Sequence, residues 1–199
     1  MVSSDISRSD VPLISIIIPT LNRGTLAVLA LKSVLAQSHQ DDIEIVVVDN
    51  GSEDDTWSHI TRYSDLPNIR LVRHLDSFNI CENWQKSLDA SSGRYVLILG
   101  DDDYLFPDWA TYMISLIKRY GEPSFLVWNH ITYIDTNPLS GWRHLLVTSR
   151  EFGGNECLVD GVTLRNAYLR LDQKAPFPVT PHPSLFLFNR TQIQRIADR

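Results

Sequence analysis

Short runs of aliphatic and β-branched residues alternate along this chain with longer segments of helical periodicity. The runs lie at Ile14–Ile18, Ile43–Val48, Ile69–Arg73 and Tyr95–Leu99. They lack regular polar alternation, which is typical of strands buried on both faces of a parallel sheet. Because predicted strands and helices alternate, we expect an α/β fold, with a mostly parallel central sheet flanked by helices and with right-handed crossovers.

Helical segments are predicted between and after these runs. They are Thr25–Gln37, Asp54–Tyr63, the segment Ile80–Leu88 and the segment from Pro107 to about Arg119. Ser52 and Asp55 form a capping-box pattern before the second of these helices. Ile80, Trp84 and Leu88 follow each other at intervals of four residues, which predicts one face of the third helix, with Trp84 in the core.

The pattern is weaker from about Ile131. Further strands are predicted at Phe125–Trp128 and Ser184–Phe188, a strand followed by a loop at residues 141–154, and a helix at Asp160–Leu171.

Composition excludes several classes of protein. The chain has 199 residues, 43% of them hydrophobic and 21% charged, which is close to the average for globular proteins. Its net charge of −6 offers no basic excess for a phosphate backbone, so no nucleic-acid partner is expected. Cys81 and Cys157 fit neither a disulfide framework nor a zinc site, which favours free thiols in a reducing compartment. The apolar runs are too short to span a bilayer and the polar N-terminus has no signal-peptide core, so a cytoplasmic location is expected.

Polar residues follow the predicted strands, at the edge of an open α/β sheet where ligands bind. Asp49 and Asn50 follow the second strand, and Asp101, Asp102 and Asp103 follow the fourth. Adjacent carboxylates repel each other unless a cation neutralises them, so this run favours a bound divalent cation over a solvated acidic turn. Oxygen ligands suit Mg2+ or Mn2+, whose shells are completed by water and substrate phosphate. The chain has neither a Walker nor a Rossmann glycine motif, so phosphate is expected to bind through the metal.

Three sequence blocks carry a resemblance to a known family. SIIIPTLNR, IEIVVVDNGSEDDT and NICENWQKSLDASSGRYVLILGDDDYLFPD resemble, in order and spacing, family 2 glycosyltransferases with the GT-A fold. The resemblance covers residues 13–120, and HPSLFLFNRTQIQRI resembles the later strand and helix of that family less specifically. It implies a transferase that uses a nucleoside-diphosphate sugar, with a Rossmann-like nucleotide-binding half.

The resemblance also implies roles for residues at the strand ends. Pro19, Thr20 and Asn22 would line the nucleoside pocket, and Asp49 and Asn50 would contact the edge of the base. Members of the family often carry two acids at the latter positions, so Asn50 leaves open the choice among uridine, thymidine and guanosine.

The same reasoning extends to the third and fourth strand ends. Asn79 falls at a polar pocket position, and the acidic run resembles the DxD motif. Asp101 would meet the ribose hydroxyl, and Asp102 and Asp103 would hold Mn2+ or Mg2+ on the diphosphate. Asp101 and Asp103 form the literal DxD, whereas alignment to Pro107 favours Asp102 as a direct ligand, so the register stays open.

The implied reaction is inverting sugar transfer to an acceptor glycan or a lipid-linked saccharide, as in surface polysaccharide assembly. Such a reaction needs a general base, which in the family comes well after the acceptor strand and is therefore expected beyond Arg199. His182 is the candidate base within the chain. Alternatives are a non-catalytic nucleotide-sugar-binding module, an inactive fragment and a receiver-like signalling domain, although the last lacks the required lysine.

The expected organisation follows from this resemblance. Residues 1–12 are predicted to be a flexible N-terminus, followed by a single domain at 13–199. Within it, 13–120 would be the nucleotide-sugar half and 121–199 the start of an acceptor half that is incomplete at its C-terminal end. Missing regions would then allow peripheral association with a membrane.

Overall fold

The computed structural model describes residues 11–127, 131–134, 145–148 and 186–191. The strands there are β1 (Ile14–Thr20), β2 (Ile43–Asp49), β3 (Ile69–Arg73), β4 (Tyr95–Ile98), β5 (Phe125–Val127), β6 (Ile131–Ile134), β7 (Leu145–Thr148) and β8 (Phe186–Asn189). The helices are α1 (Gly24–Leu35), α2 (Thr56–Ile60), α3 (Ile80–Asp89) and α4 (Trp109–Arg119), with 3-10 turns at Gln40–Asp42 and Thr61–Tyr63. None of the helices in these ranges is long and apolar enough to cross a bilayer.

The chain divides into two compact units, residues 1–126 with 187–199 and residues 127–186. In the second unit, β6 and β7 pair antiparallel, with Ile131 opposite Thr148. The predicted flexible N-terminus up to residue 10, the predicted helix at Asp160–Leu171, and His182 lie outside the described residues.

A six-stranded sheet, in the order β3-β2-β1-β4-β8-β5, organises the first unit. β1 pairs in parallel with both β2 and β4, β2 pairs in parallel with β3, and β8 runs antiparallel to β4. The predicted mostly parallel α/β sheet is therefore confirmed. The strand order reverses between β1 and β4, which is where ligands bind in such sheets. Asp49 and Asn50, at the end of β2, lie one strand away from this switch.

The sheet is buried on both faces, as its uninterrupted apolar runs predict. Ile17, Val46, Val48 and Val96 form one cluster, against which Leu88 packs. Neighbouring positions in a strand point to opposite faces, so Ile16, Ile18, Ile45, Val47 and Leu97, which are also fully buried, form the core of the other face.

Three local predictions are corrected by the structure. The predicted face of α3 is only partly buried: Ile80 is 63% exposed, Trp84 and Leu88 are half-buried, and the buried residues are Asn83 and Ser87. These short side chains face inward, and the Ser87 hydroxyl donates to the Asn83 carbonyl at 2.6 Å.

The other two corrections concern helix beginnings. The predicted capping box is not among the described contacts of Ser52. The Ser52 hydroxyl instead accepts a hydrogen bond from the backbone N–H of Asn22 at 2.8 Å. The helix begins at Thr56, whose N–H donates to the Asp54 carboxylate at 2.9 Å. The helix α4 begins at Trp109, after Asp108 in the left-handed conformation, so Pro107 precedes the first turn.

Arg190 joins the end of β8 to the start of β4. Its guanidinium donates to the Gly93 carbonyl at 2.8 Å and to the Ser91 hydroxyl at 2.6 Å, and its N–H donates to the Arg94 carbonyl at 2.8 Å. Burial lowers the pKa of Arg190, while Glu44 and Asp89 oppose that shift. This residue therefore fixes the sheet at the edge opposite to the strand-end loops described next.

Candidate functional site

The loops that follow β1, β2, β3 and β4 lie at one edge of the sheet, because these strands are parallel. Backbone hydrogen bonds connect them. The Asn50 N–H donates to the Thr20 carbonyl at 2.9 Å, and the His74 N–H donates to the Asp49 carbonyl at 2.9 Å. The predicted site residues on these loops are thus placed on a continuous, hydrogen-bonded edge.

The switch between β1 and β4 brings Thr20 together with Asp101. The Thr20 hydroxyl donates to Oδ2 of Asp101 at 2.9 Å, and a guanidinium nitrogen of Arg23 lies 3.1 Å from Oδ1. The side chain of Asp101 is only 9% exposed. A buried carboxylate needs such charged and hydrogen-bonded partners, and Thr20 and Arg23 supply them.

Asp102 and Asp103 lie on the solvent side of this carboxylate. Asp102 is exposed and lies 3.4 Å from the same Arg23 nitrogen. The Asp103 N–H closes a turn onto the Gly100 carbonyl at 3.0 Å. A Cβ at Gly100 would lie 2.7 Å from Oδ2 of Asp103 and 3.1 Å from Oδ1 of Asp102. The turn therefore places carboxylate oxygens of Asp102 and Asp103 close to Gly100, where any larger residue would clash with them.

Asp49 is fully buried at the end of β2. Its Oδ1 accepts from the Ser52 N–H at 2.9 Å, while Oδ2 lies 3.4 Å from Nε of Arg73 without a hydrogen bond among the described residues. Arg73 also lies over the ring of Trp57, 5.3 Å from its centroid. One carboxylate oxygen thus holds the loop, and the other retains capacity to accept a hydrogen bond.

Asn50 holds the segment after β3 against the sheet edge. Its Nδ2 donates to the Phe78 carbonyl at 2.9 Å, and its Oδ1 accepts from the Phe78 N–H at 3.0 Å. Gly51 allows the close approach, because a Cβ there would lie 2.9 Å from backbone atoms of Asp76 and Ser77, and its φ is +83°. Asn50 therefore acts on the backbone of the neighbouring loop.

The remaining predicted residues also organise loops. Asn22, at a φ of 54°, accepts from the Glu53 N–H at 2.9 Å through Oδ1. Asn79 caps α3 by accepting from the Glu82 N–H at 3.0 Å. Pro19 lies half-buried in β1, opposite Val48. Short polar side chains that satisfy neighbouring backbone groups are what tight loops of this kind require.

Arg23 and Arg73 are site residues to which no sequence motif assigned a role, and Ser52, predicted only as a helix cap, contacts both Asn22 and Asp49. The signal for Arg23 was its position, directly after Asn22 at the end of β1. Only a search for the positive side chain that neutralises the acids after β4 could have identified Arg23. Finding Arg73 required knowing that β3 pairs beside β2.

The carboxylate oxygens after β4 suit a hard divalent cation that takes only one or two of its ligands from the protein. Asp101, Asp102 and Asp103 offer only oxygen ligands. The described part of the chain contains no group of three or more His, Cys, Asp or Glu residues arranged to enclose a metal. One or two carboxylates, completed by water and phosphate, are the usual arrangement for Mg2+-like ions at phosphate sites.

Comparisons with known proteins identify the family of this chain. Residues 15–190 match the sequence profile of Glycosyl transferase family 2. A PGL/p-HBAD biosynthesis glycosyltransferase of Mycobacterium bovis is 32% identical over 127 residues, which cover 63% of this chain and 49% of that protein. Chondroitin synthase of Escherichia coli is 30% identical over 129 residues, which cover 61% of this chain and 19% of that protein. The chain thus spans half or less of the length of these relatives.

Solved structures share the fold. The mannosyltransferase PcManGT of Pyrobaculum calidifontis, in complex with GDP-Man and Mn2+, has a TM-score of 0.58 and 19% identity, and the match covers 94% of this chain and 47% of that one. S. aureus TarS in complex with UDP-GlcNAc has a TM-score of 0.54 and 23% identity, and the match covers 57% of this chain and 33% of that one. With the profile match over most of its length, this chain belongs to glycosyl transferase family 2.

Proposed function

We propose that this protein transfers a sugar from a nucleoside-diphosphate sugar to an acceptor glycan or lipid-linked saccharide, with inversion and with help from a divalent cation. The observation that carries the proposal is the buried Asp101 at the switch between β1 and β4, held by Thr20 and Arg23 and followed by two further carboxylates. Family membership supports the reaction class. The named relatives and the nucleotide-sugar complexes of the structural neighbours support the type of donor.

The donor nucleoside is proposed to bind across the edge between Thr20 and Asp49. Pro19, Thr20 and Asn22 would line it on one side. Asp49 would accept from a base N–H through Oδ2, the oxygen that makes no hydrogen bond among the described residues. Because Asp49 is fully buried and Nε of Arg73 lies 3.4 Å from its Oδ2, neighbouring groups must move for a base to reach it.

The diphosphate is proposed to lie over the acidic turn. Asp101 would meet the ribose hydroxyl, and Asp102 or Asp103 would hold Mn2+ or Mg2+. When bound, such a cation offsets the negative charge that grows on the departing nucleoside diphosphate. Asn79, at the start of α3, is proposed to contribute a polar group to the same donor site.

The acceptor side of the proposal rests on family membership alone. Deprotonation of the acceptor hydroxyl requires a general base, and His182 is the proposed candidate within the chain. An acceptor of surface polysaccharide assembly and a cytoplasmic location, at the inner face of a membrane, are proposed on the same grounds.

Consumption of donor tests this proposal. The chain is incubated with radiolabelled UDP- and GDP-sugars, candidate saccharide acceptors and Mn2+, and labelled product is separated from donor. Acceptor-dependent transfer that is lost in Asp101→Asn supports the enzyme. Binding of a nucleotide sugar without transfer or hydrolysis, in a protein that also includes the region expected to carry the general base, would instead favour a non-catalytic binding module.

A further inference from the structure

Arg23 places a single positive nitrogen between two acidic side chains. Its Nη1 lies 3.1 Å from Oδ1 of Asp101 and 3.4 Å from Oδ2 of Asp102. These are two of the carboxylates that the proposed function assigns to the ribose and to the cation. In the described structure the guanidinium therefore pairs both with the acid assigned to the ribose and with one of the two acids assigned to the cation.

A dication and a guanidinium carry like charges and repel each other at such distances. A cation held by Asp102 or its neighbour Asp103 would therefore weaken the pairing of Arg23 with the acidic turn. The side chain of Arg23 is 52% exposed, so it can leave the acids without disturbing the core. It is anchored just before Gly24, where α1 begins, and a guanidinium displaced from the acids stays at the same edge of the sheet.

Guanidinium groups bind phosphate in a bidentate manner that a point charge cannot reproduce. A nucleoside diphosphate that arrives with its cation brings phosphate oxygens to the acidic turn. The phosphate therefore gives Arg23 a new anionic partner when the cation binds the carboxylate with which Arg23 was paired.

We propose that Arg23 is an exchangeable counter-cation: it pairs with Asp101 and Asp102 in the donor-free protein, gives way to the divalent cation, and then binds the diphosphate of the donor. This inference rests on the proposed function. It implies that Arg23 lowers the affinity for the metal alone and raises the affinity for nucleotide in the presence of the metal.

The proposal predicts effects of opposite sign in one variant. Arg23→Gln should bind Mn2+ alone more tightly, by up to about fivefold, since a partly exposed ion pair is worth at most about 1 kcal/mol. The same variant should bind the preferred nucleoside diphosphate in saturating Mn2+ about tenfold more weakly or worse, because a hydrogen bond to a charged phosphate is lost. A residue that only stabilised the loop would weaken both.

Two further variants sharpen the comparison. Arg23→Lys keeps the charge but not the planar fork, so it should oppose Mn2+ as wild type does and still bind the diphosphate more weakly. Arg94→Gln is a matched control: Arg94 is 51% exposed and pairs with Glu122 at 2.6 Å, at the other end of β4. It should leave both affinities unchanged.

The experiment measures free Mn2+ by electron paramagnetic resonance, then titrates UDP, GDP and dTDP by calorimetry in saturating Mn2+, with circular dichroism to verify folding. Tighter metal binding together with weaker nucleotide binding in Arg23→Gln supports the proposal. If the affinities for Mn2+ and for nucleotide change in the same direction in Arg23→Gln, or if neither changes, the role of Arg23 is overturned, while nucleotide binding by the wild type leaves the proposed function intact. Wild-type protein that binds none of the three nucleotides overturns both.

Discussion

The Thr20 hydroxyl donates a hydrogen bond of 2.9 Å to the buried carboxylate of Asp101, across 81 residues of sequence. This contact joins the ends of β1 and β4 at the point where the strand order reverses. It also orients the first acid of the proposed donor site, so its removal should affect both stability and binding.

Thr20→Val keeps the shape of the side chain and removes the donor. Asp101 would lose one of the two described contacts of its carboxylate, and leaving a buried acceptor unsatisfied costs about 1–3 kcal/mol in the free energy of unfolding. Urea unfolding measures this change. Thr20→Ser retains a hydroxyl and should recover most of it; equal stability of all three proteins would contradict the importance of the contact.

Single substitutions should resolve the register of the acidic run. Asp102→Asn and Asp103→Asn each remove one charge while keeping the side-chain volume, and the direct metal ligand should show the larger loss of Mn2+-dependent nucleotide binding. Calorimetric titration with and without Mn2+ provides the measurement. Equal and negligible losses in both variants would exclude these two residues as metal ligands.

Asp49→Asn should change which nucleotide is preferred. The Asn side chain still accepts from the Ser52 N–H, but a neutral amide is a weaker acceptor for a base N–H than a carboxylate. Affinity for the preferred nucleoside diphosphate should fall about tenfold, while the difference made by Mn2+ stays as in wild type. Unaltered affinity for UDP, GDP and dTDP alike would show that Asp49 does not contact the base.

Gly51→Ala should destabilise the fold more than a comparable glycine substitution. Ala at a φ of +83° is strained, and its Cβ would lie 2.9 Å from the backbone of Asp76 and Ser77. Gly121→Ala is the matched control, because Gly121 has a φ of +65° with nothing within 4 Å of its Cβ position. Left-handed strain costs about 1–3 kcal/mol at either site, so the excess at Gly51 measures the steric clash. Thermal unfolding of the two variants with equal midpoints would contradict the close approach.

The buried strands were predictable because their apolar runs are continuous. β1 and β2 extend only one or two residues beyond the predicted runs at Ile14–Ile18 and Ile43–Val48. Their burial on both faces follows from the same pattern. The order of the strands was not predictable in this way, because pairing of β1 with both β2 and β4 is a long-range choice that a local pattern does not encode.

The features that the sequence did not predict depend on contacts of polar side chains. Apolar spacing marked Ile80, Trp84 and Leu88 as a buried face of α3, whereas Asn83 and Ser87 face inward. Ser52 fits a capping box by sequence. Its hydroxyl instead accepts a hydrogen bond from the backbone N–H of Asn22, which β-sheet pairing brings near. The pairing of Arg23 with Asp101 spans 78 residues and likewise follows from the sheet.

We expect the edge formed by Thr20 and the acids at 101–103 to bind a nucleoside diphosphate together with a divalent cation. Calorimetric titration of UDP, GDP and dTDP, with and without Mn2+, tests this binding on the wild type and on the triple variant Asp101→Asn, Asp102→Asn, Asp103→Asn. Mn2+ should strengthen nucleotide binding in the wild type and have no effect on it in the folded variant. Wild-type binding that Mn2+ does not change, or a variant that keeps the full Mn2+ effect, would show that these acids do not hold the cation.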